Sequence, residues 1–136
     1  MSKQPIKIFV ILLVAISLFF IEKIYSFKSE YTDIEKIIKS RQSGQIVIFE
    51  GEVVKVLKDD LKGDKHQKFI LKINEYTVLL VHNIDIAPRV PAIKGDILIV
   101  NGEYEWNNQG GLVHWTHRST NSHPEGWVKH KNIKYN

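Results

Sequence analysis

Six histidines, three tryptophans and 15 acidic side chains are the groups able to do chemistry in this chain of 136 residues, which contains no cysteine. Without thiols there is no disulfide framework, no thiolate metal site and no cysteine nucleophile. Metal binding then falls to imidazole and carboxylate. His114, His117 and His123 lie close together along the chain, and a hairpin closed by the polar turn at residues 107–110 brings Glu103 opposite His114. Three imidazoles and one carboxylate, with water completing the shell, suit a divalent metal such as zinc. The spacing opposes a simple site, because His114 and His117 are three apart and fall on opposite faces of a strand. They converge only if the strand ends near Trp115 and the chain turns. In the plainer reading His114 is a surface partner of Glu103, while His117 and His123 satisfy loop carbonyls.

Ligand contacts have a second set of candidates. Tyr104, Trp106 and Trp127 can stack on a base or sugar ring, and Arg89 can hold a phosphate or carboxylate through its planar guanidinium. Each has a structural reading as well: aromatics are the readiest source of buried area in a small domain, and Trp115 placed over Gly102 reads as core. Glu103 and Glu105 share a strand face, as a general acid and base would, or simply form a solvated face. His82 falls on an apolar strand face beside Gln67, which reads as a buried, hydrogen-bonded histidine. Asp85 and Arg89, four apart, pair across a helical turn, or Asp85 caps it. The chain has no glycine-rich phosphate loop, nucleophile elbow, Walker or zincin pattern, which weighs against an enzyme.

These groups need a scaffold, and the first segment is not part of it. Lys3 and Lys7 precede an apolar run from Ile8 to Ile21 that Glu22 and Lys23 close. Fourteen helical residues reach about 21 Å, short of a hydrocarbon core of roughly 30 Å. Residues 1–26 therefore read as a signal peptide, with the best cleavage position after Ser26, or as an uncleaved signal anchor, since Ile24 sits where a small residue is wanted. The basic residues before the run put the body outside the cytoplasm, periplasmic or at the cell surface. Without this leader, 19 basic and 15 acidic residues become 16 and 14. So neutral a body carries no strong nucleic-acid signature, and Lys129, His130, Lys131 and Lys134 read as a solvated tail.

The body starts with an amphipathic helix over 30–43. Thr32 and Glu35 have capping-box spacing, Tyr31, Ile34, Ile37 and Ile38 form one apolar stripe, and Gly44 stops the helix. β-Branched and aromatic residues then dominate 44–136, broken by turn signals. The expected strands are 45–57, with a bend at Gly51, then 67–73, 76–82, 96–106 and 111–116. The two-residue turn Asn74-Glu75 fixes a register of Ile73 with Tyr76, Leu71 with Val78, Phe69 with Leu80 and Gln67 with His82. With a helical connector between the third and fourth strands, this describes a mainly β fold: a small five-stranded OB-like Greek-key barrel, an incomplete β-sandwich being the alternative.

The strings His82-Asn83-Ile84-Asp85-Ile86-Ala87-Pro88-Arg89, Gly102-Glu103-Tyr104-Glu105-Trp106-Asn107, Gly110-Gly111, His114-Trp115-Thr116-His117 and His123-Pro124-Glu125-Gly126-Trp127 resemble a family of small exported bacterial proteins of unknown function. The resemblance covers roughly residues 66–135 and implies export and a compact fold. Members of that family tend to carry His-Asp-Pro after the Trp-Thr-His string, where this chain has Arg118, Ser119 and Thr120.

Three functions fit. The first is an extracytoplasmic OB-like binding module for an oligonucleotide, a glycan or another anionic ligand. The second is a metal-dependent hydrolase acting on phosphodiesters through His114, His117, His123 and Glu103, with Arg89 on the substrate. The third is a membrane-anchored structural or interaction protein.

Overall fold

The computed structural model describes the backbone of residues 4–136 and divides into two compact units, one ending at Tyr31 and one spanning Thr32–Asn136. The first unit is a helix, α1 (Gln4–Glu30). Its apolar stretch, Ile6–Ser26, runs for 21 residues with a mean hydropathy of 2.4. At 1.5 Å per residue that is about 31 Å, so the helix continues past the Glu22-Lys23 pair that was expected to end it and is long enough to cross a bilayer. An N-terminal helix of this kind is compatible with a signal or an anchor. Lys3, one of the two lysines used to orient it, lies outside the described residues.

In the second unit, α2 (Ile34–Ser40) is shorter than the sequence suggests, because its ends are set by other residues. Asp33, not Thr32, is the N-cap: its carboxylate accepts from the Lys36 N–H at 3.1 Å. The Thr32 hydroxyl instead accepts from the Ile48 N–H at 2.9 Å and ties the helix entry to the first strand. Arg41, in a left-handed conformation (φ 57°), ends the helix before Gly44 is reached. Ile34 and Ile38 are buried in the core. Asp33→Ala is expected to cost about 1 kcal/mol by exposing the helix N–H groups, measurable as a shift in the urea midpoint.

Seven strands follow: β1 (Gln45–Val56), β2 (His66–Ile73), β3 (Tyr76–Asn83), β4 (Ile97–Glu105), β5 (Leu112–His114), β6 (Trp127–His130) and β7 (Ile133–Tyr135). The order β1-β2-β3-β5-β4 closes through a β1–β4 pairing, and β3 and β5 run parallel. This is the closed five-stranded OB barrel. Its core is formed by residues such as Val47, Phe49, Phe69, Leu71, Leu80, Leu98 and Tyr104, which alternate inward along their strands. The β2–β3 register pairs Ile73 with Tyr76, Leu71 with Val78, Phe69 with Leu80 and Gln67 with His82.

Three local features differ from the sequence expectation. The irregularity of β1 lies between Val53 and Lys55, not at Gly51. Gly51 stays in phase with Phe49 and Val53, facing inward, where an added Cβ would come to 3.1 Å from the Leu71 Cβ. The β3–β4 connector forms turns rather than a helix. There the Asn83 side-chain oxygen accepts from the N–H groups of Asp85 (2.9 Å) and Ile86 (3.3 Å), so Asn83 organises the turn that Asp85 was expected to cap. The tail is packed: β6 and β7 form a hairpin around Lys131 and Asn132, both at positive φ, as a tight two-residue turn requires. His130 is buried and donates from Nε2 to Asp96 Oδ2 at 2.9 Å.

One arrangement positions everything that follows. β5 pairs with β4 at Glu103–Glu105, and β6 pairs with β4 at Leu98–Asn101, both antiparallel. β5 and β6 are therefore two segments along the same edge of β4. Residues 115–126 leave that line and return to it as a loop with closely spaced ends, the pattern of a compact Ω-type loop.

Candidate functional site

The departure of this loop is set at Trp115, whose φ of 52° is rare for a bulky side chain. Such a conformation persists only where surrounding contacts enforce it. Here the indole stacks on the His114 ring (centroids 4.7 Å, planes 14° apart) and on the His123 ring (4.8 Å, 13°). The turn ends the strand alternation, so Thr116 and His117 both become buried. This is the turn that the three-residue spacing of His114 and His117 required. It also removes Trp115 from above Gly102: an added Cβ there would instead meet the His114 carbonyl at 2.4 Å and Thr116 Cγ2 at 2.7 Å. The loop closes at Gly126, whose N–H donates to the His117 carbonyl at 2.9 Å.

Inside the loop the His117 and His123 rings meet edge to face, with centroids 4.7 Å apart. Each is oriented by a carbonyl. His117 Nδ1 donates to Arg118 O at 2.9 Å and His123 Nδ1 donates to Pro124 O at 2.6 Å. A carbonyl only accepts, so the proton of a neutral ring sits on Nδ1 and the lone pair on Nε2. Burial, the largest cause, pushes the His117 pKa below the ordinary imidazole range, and the same cause lowers that of His114. Both are neutral at pH 7.

Between this loop, the start of β2 and the end of β3 is a cavity of about 280 Å³. Four imidazoles line it, those of His66, His114, His117 and His123, together with Asp64, Asn83, Trp115, Thr120 and Ser122. No lysine or arginine is among its described lining residues. The sequence pattern does not mark His66 or Asp64, and it offers Asn83 only within the string His82–Arg89. The signal was there: His66 stands directly opposite Asn83 in the ladder, one position beyond the Gln67–His82 pair.

The residues proposed as metal ligands fall into two groups. Glu103 and His114 are cross-strand partners, and with Glu105 their ligand atoms all lie within 4.8 Å of one another. His117 and His123 form the other pair, within the loop. Burial, and then the hydrogen bond and charge of neighbouring Glu105, raise the Glu103 pKa above the usual carboxylate range. The His114 Nε2 is buried and has no hydrogen-bond partner.

The proposed ligand-contacting residues do not gather in one place. Tyr104 is wholly buried and its hydroxyl donates to Gly110 O at 3.1 Å, so its ring offers no face to a ligand. Trp106 packs against the core with the Arg41 guanidinium 5.3 Å from its ring centroid. Trp127 lies under the Lys129 and Lys134 ammonium groups, at 5.5 and 5.9 Å. Arg89 pairs with Asp59, not with Asp85, which is bonded to the Lys65 N–H at 2.7 Å. His82 is fully buried: Nε2 donates to Pro88 O (3.1 Å) and Nδ1 accepts from the Thr116 hydroxyl (2.8 Å).

Searches of curated proteins and of solved structures find no match. Residues 14–136, which include the whole barrel and its histidine loop, match the family described as "Protein of unknown function (DUF3465)", and the chain belongs to that family.

Proposed function

We propose that this domain is an OB-type binding module whose ligand is an uncharged saccharide ring seated in the histidine-lined cavity. The observation that carries this is the chemistry of the lining: one carboxylate, an amide, two hydroxyls and four imidazoles, with no cationic side chain among the described residues. Asp64 repels phosphates, and no lysine or arginine among the described lining residues attracts them, which argues against an oligonucleotide or other anionic ligand. The lining hydroxyls, amide, imidazole nitrogens and Asp64 together supply both donors and acceptors, the complement of ring hydroxyls. The volume is at the small end for ligand pockets and fits one ring. Both Trp115 neighbours are imidazoles, so the indole acts as a brace, and recognition rests on polar contacts.

The location supports the same reading. OB domains take oligosaccharides and oligonucleotides on the face of strands two and three. Here Thr77, Leu79 and Val81 form the outward row of β3. The row runs about 14 Å from the histidine cavity to a second hollow of about 190 Å³ beside Asn107 and Gln109. A longer oligosaccharide would lie along this row. In this reading α1 exports the domain or holds it at the outer side of the membrane.

The test is calorimetric titration of the full chain in detergent micelles with chitotriose, cellotriose and maltotriose, and with hexathymidylate as the anionic comparator. One trisaccharide is expected to bind, and His66→Ala and His117→Ala are each expected to weaken it about tenfold, the loss of one buried hydrogen bond. Hexathymidylate binding in preference to all three saccharides would refute the reading.

A further inference from the structure

We propose that Glu103, Glu105 and His114 form a site for one divalent first-row transition-metal ion, such as Zn²⁺ or Mn²⁺, on the outer surface of the β4–β5 pair. Glu103 and Glu105 are two apart on one strand and so project from the same face. His114 is the direct cross-strand partner of Glu103, and the ladder fixes all three backbones. Their ligand atoms lie within 4.8 Å of one another, so small side-chain rotations bring them to the roughly 2.0–2.2 Å reach of a common ion.

A second observation, independent of that spacing, points to an ion. His114 Nε2 is buried with no hydrogen-bond partner, although its ring is held by stacking on Trp115. A buried nitrogen left unpaired is costly, and a coordinated cation satisfies it. The two carboxylates hydrogen-bond each other, and among the described residues neither forms an ion pair with a lysine or arginine. Mixed carboxylate and imidazole donors favour zinc or manganese over calcium and magnesium, which take oxygen alone. The inference goes beyond the saccharide reading and does not depend on it, since His114 alone is common to both.

The test uses the full chain in detergent micelles at pH 7.5. Calorimetry with Zn²⁺ is expected to show one saturable equivalent, and Glu105→Gln is expected to lower its affinity at least roughly 30-fold, while His66→Ala leaves it unchanged. Mn²⁺ added to the unsubstituted chain is expected to broaden the NMR signals of Glu103, Glu105 and His114 before those of His117. This second measurement decides the matter even if Glu105→Gln fails to fold. Absence of saturable Zn²⁺ binding, or first broadening at His117 and His123, would overturn the proposal. Saccharide titrations on the same samples keep the two readings apart: Glu105→Gln weakens metal binding only, and His66→Ala weakens saccharide binding only.

Discussion

Gly126→Ala is expected to detach the histidine loop and to destabilise the barrel by at least about 3 kcal/mol, at the upper end for overpacking substitutions. The new Cβ would stand 1.9 Å from the Trp115 carbonyl oxygen and 2.8 Å from that of Asn101. Both obstacles are backbone atoms, one at the first residue of the loop and one in β4, so no side-chain rotation relieves the clash. The chain has to give at Trp115 or at the start of β6. Either movement breaks the bond from the Gly126 N–H to the His117 carbonyl and opens the stack of His114, Trp115 and His123. Urea unfolding followed by tryptophan fluorescence reads the stability, and NMR shifts of the imidazoles read the site. A variant with the unaltered midpoint and unaltered His117 and His123 signals would show that Gly126 does not close the loop.

Acidification supplies the second large effect. Burial, opposed in part by the bond to Pro88, lowers the His82 pKa to about 4 from 6.5. The unfolded chain therefore takes up this proton first as pH falls. The contribution of neutral His82 is complete above pH 6.5, declines as pH drops through that value, and levels off below about 4. The two limits differ by about 3 kcal/mol. Burial lowers the His114 and His117 pKa values in the same direction, so the whole chain loses stability in acid. The share of His82 is isolated by comparing urea midpoints at pH 7.5, 5.5 and 4.5 for the native chain and His82→Gln. A shallower pH slope in the variant is expected; equal slopes would contradict the assignment.

Much of this architecture is written in local sequence. The two-residue turn at Asn74 and Glu75 sets the β2–β3 register because strand side chains alternate strictly from a fixed turn. Glu103 and His114 become partners for the same reason, the β4–β5 connection being a local hairpin. Local chemistry leaves other choices open. Thr32 has the spacing of a capping residue, yet its hydroxyl is taken by the Ile48 N–H, a partner sixteen residues away that helix patterns cannot reveal. Val54 and Val56 disturb the alternation around Gly51, but they do so by facing outward; the strand irregularity follows at Val53 to Lys55.

The candidate site divides along the same line. The hairpin half, Glu103 and His114, follows from register, and Glu105 shares its face by the alternation of a strand. The loop half does not. That β6 resumes pairing along the β4 edge next to where β5 stops is a long-range fact, and it alone brings Gly126 against Trp115 and folds His117 onto His123. The β2–β3 hairpin places the start of β2 beside the end of β3, but His66 and Asp64 reach the cavity only because β3 also pairs with β5, a non-local contact that sets the loop after β5 beside them. The tryptophans mislead because ring size marks a residue for stacking, but Trp106 is already covered by Arg41 from a distant segment and Trp127 by Lys129 and Lys134 of its own hairpin.

The central claim is that the loop between β5 and β6 fixes the protons of His117 and His123 on Nδ1, leaving the Nε2 lone pair of His117 for a ligand while that of His123 faces the Thr120 hydroxyl at 3.5 Å. Long-range ¹H–¹⁵N correlation of the imidazole rings at pH 7.5, with and without the bound trisaccharide, tests it most directly. The expected result is the Nδ1–H tautomer for His117 and His123, the Nε2–H tautomer for His82, and ligand-dependent Nε2 shifts at His117. Nε2–H or doubly protonated rings at His117 and His123, or ligand shifts gathered instead at Trp106 and Trp127, would contradict it.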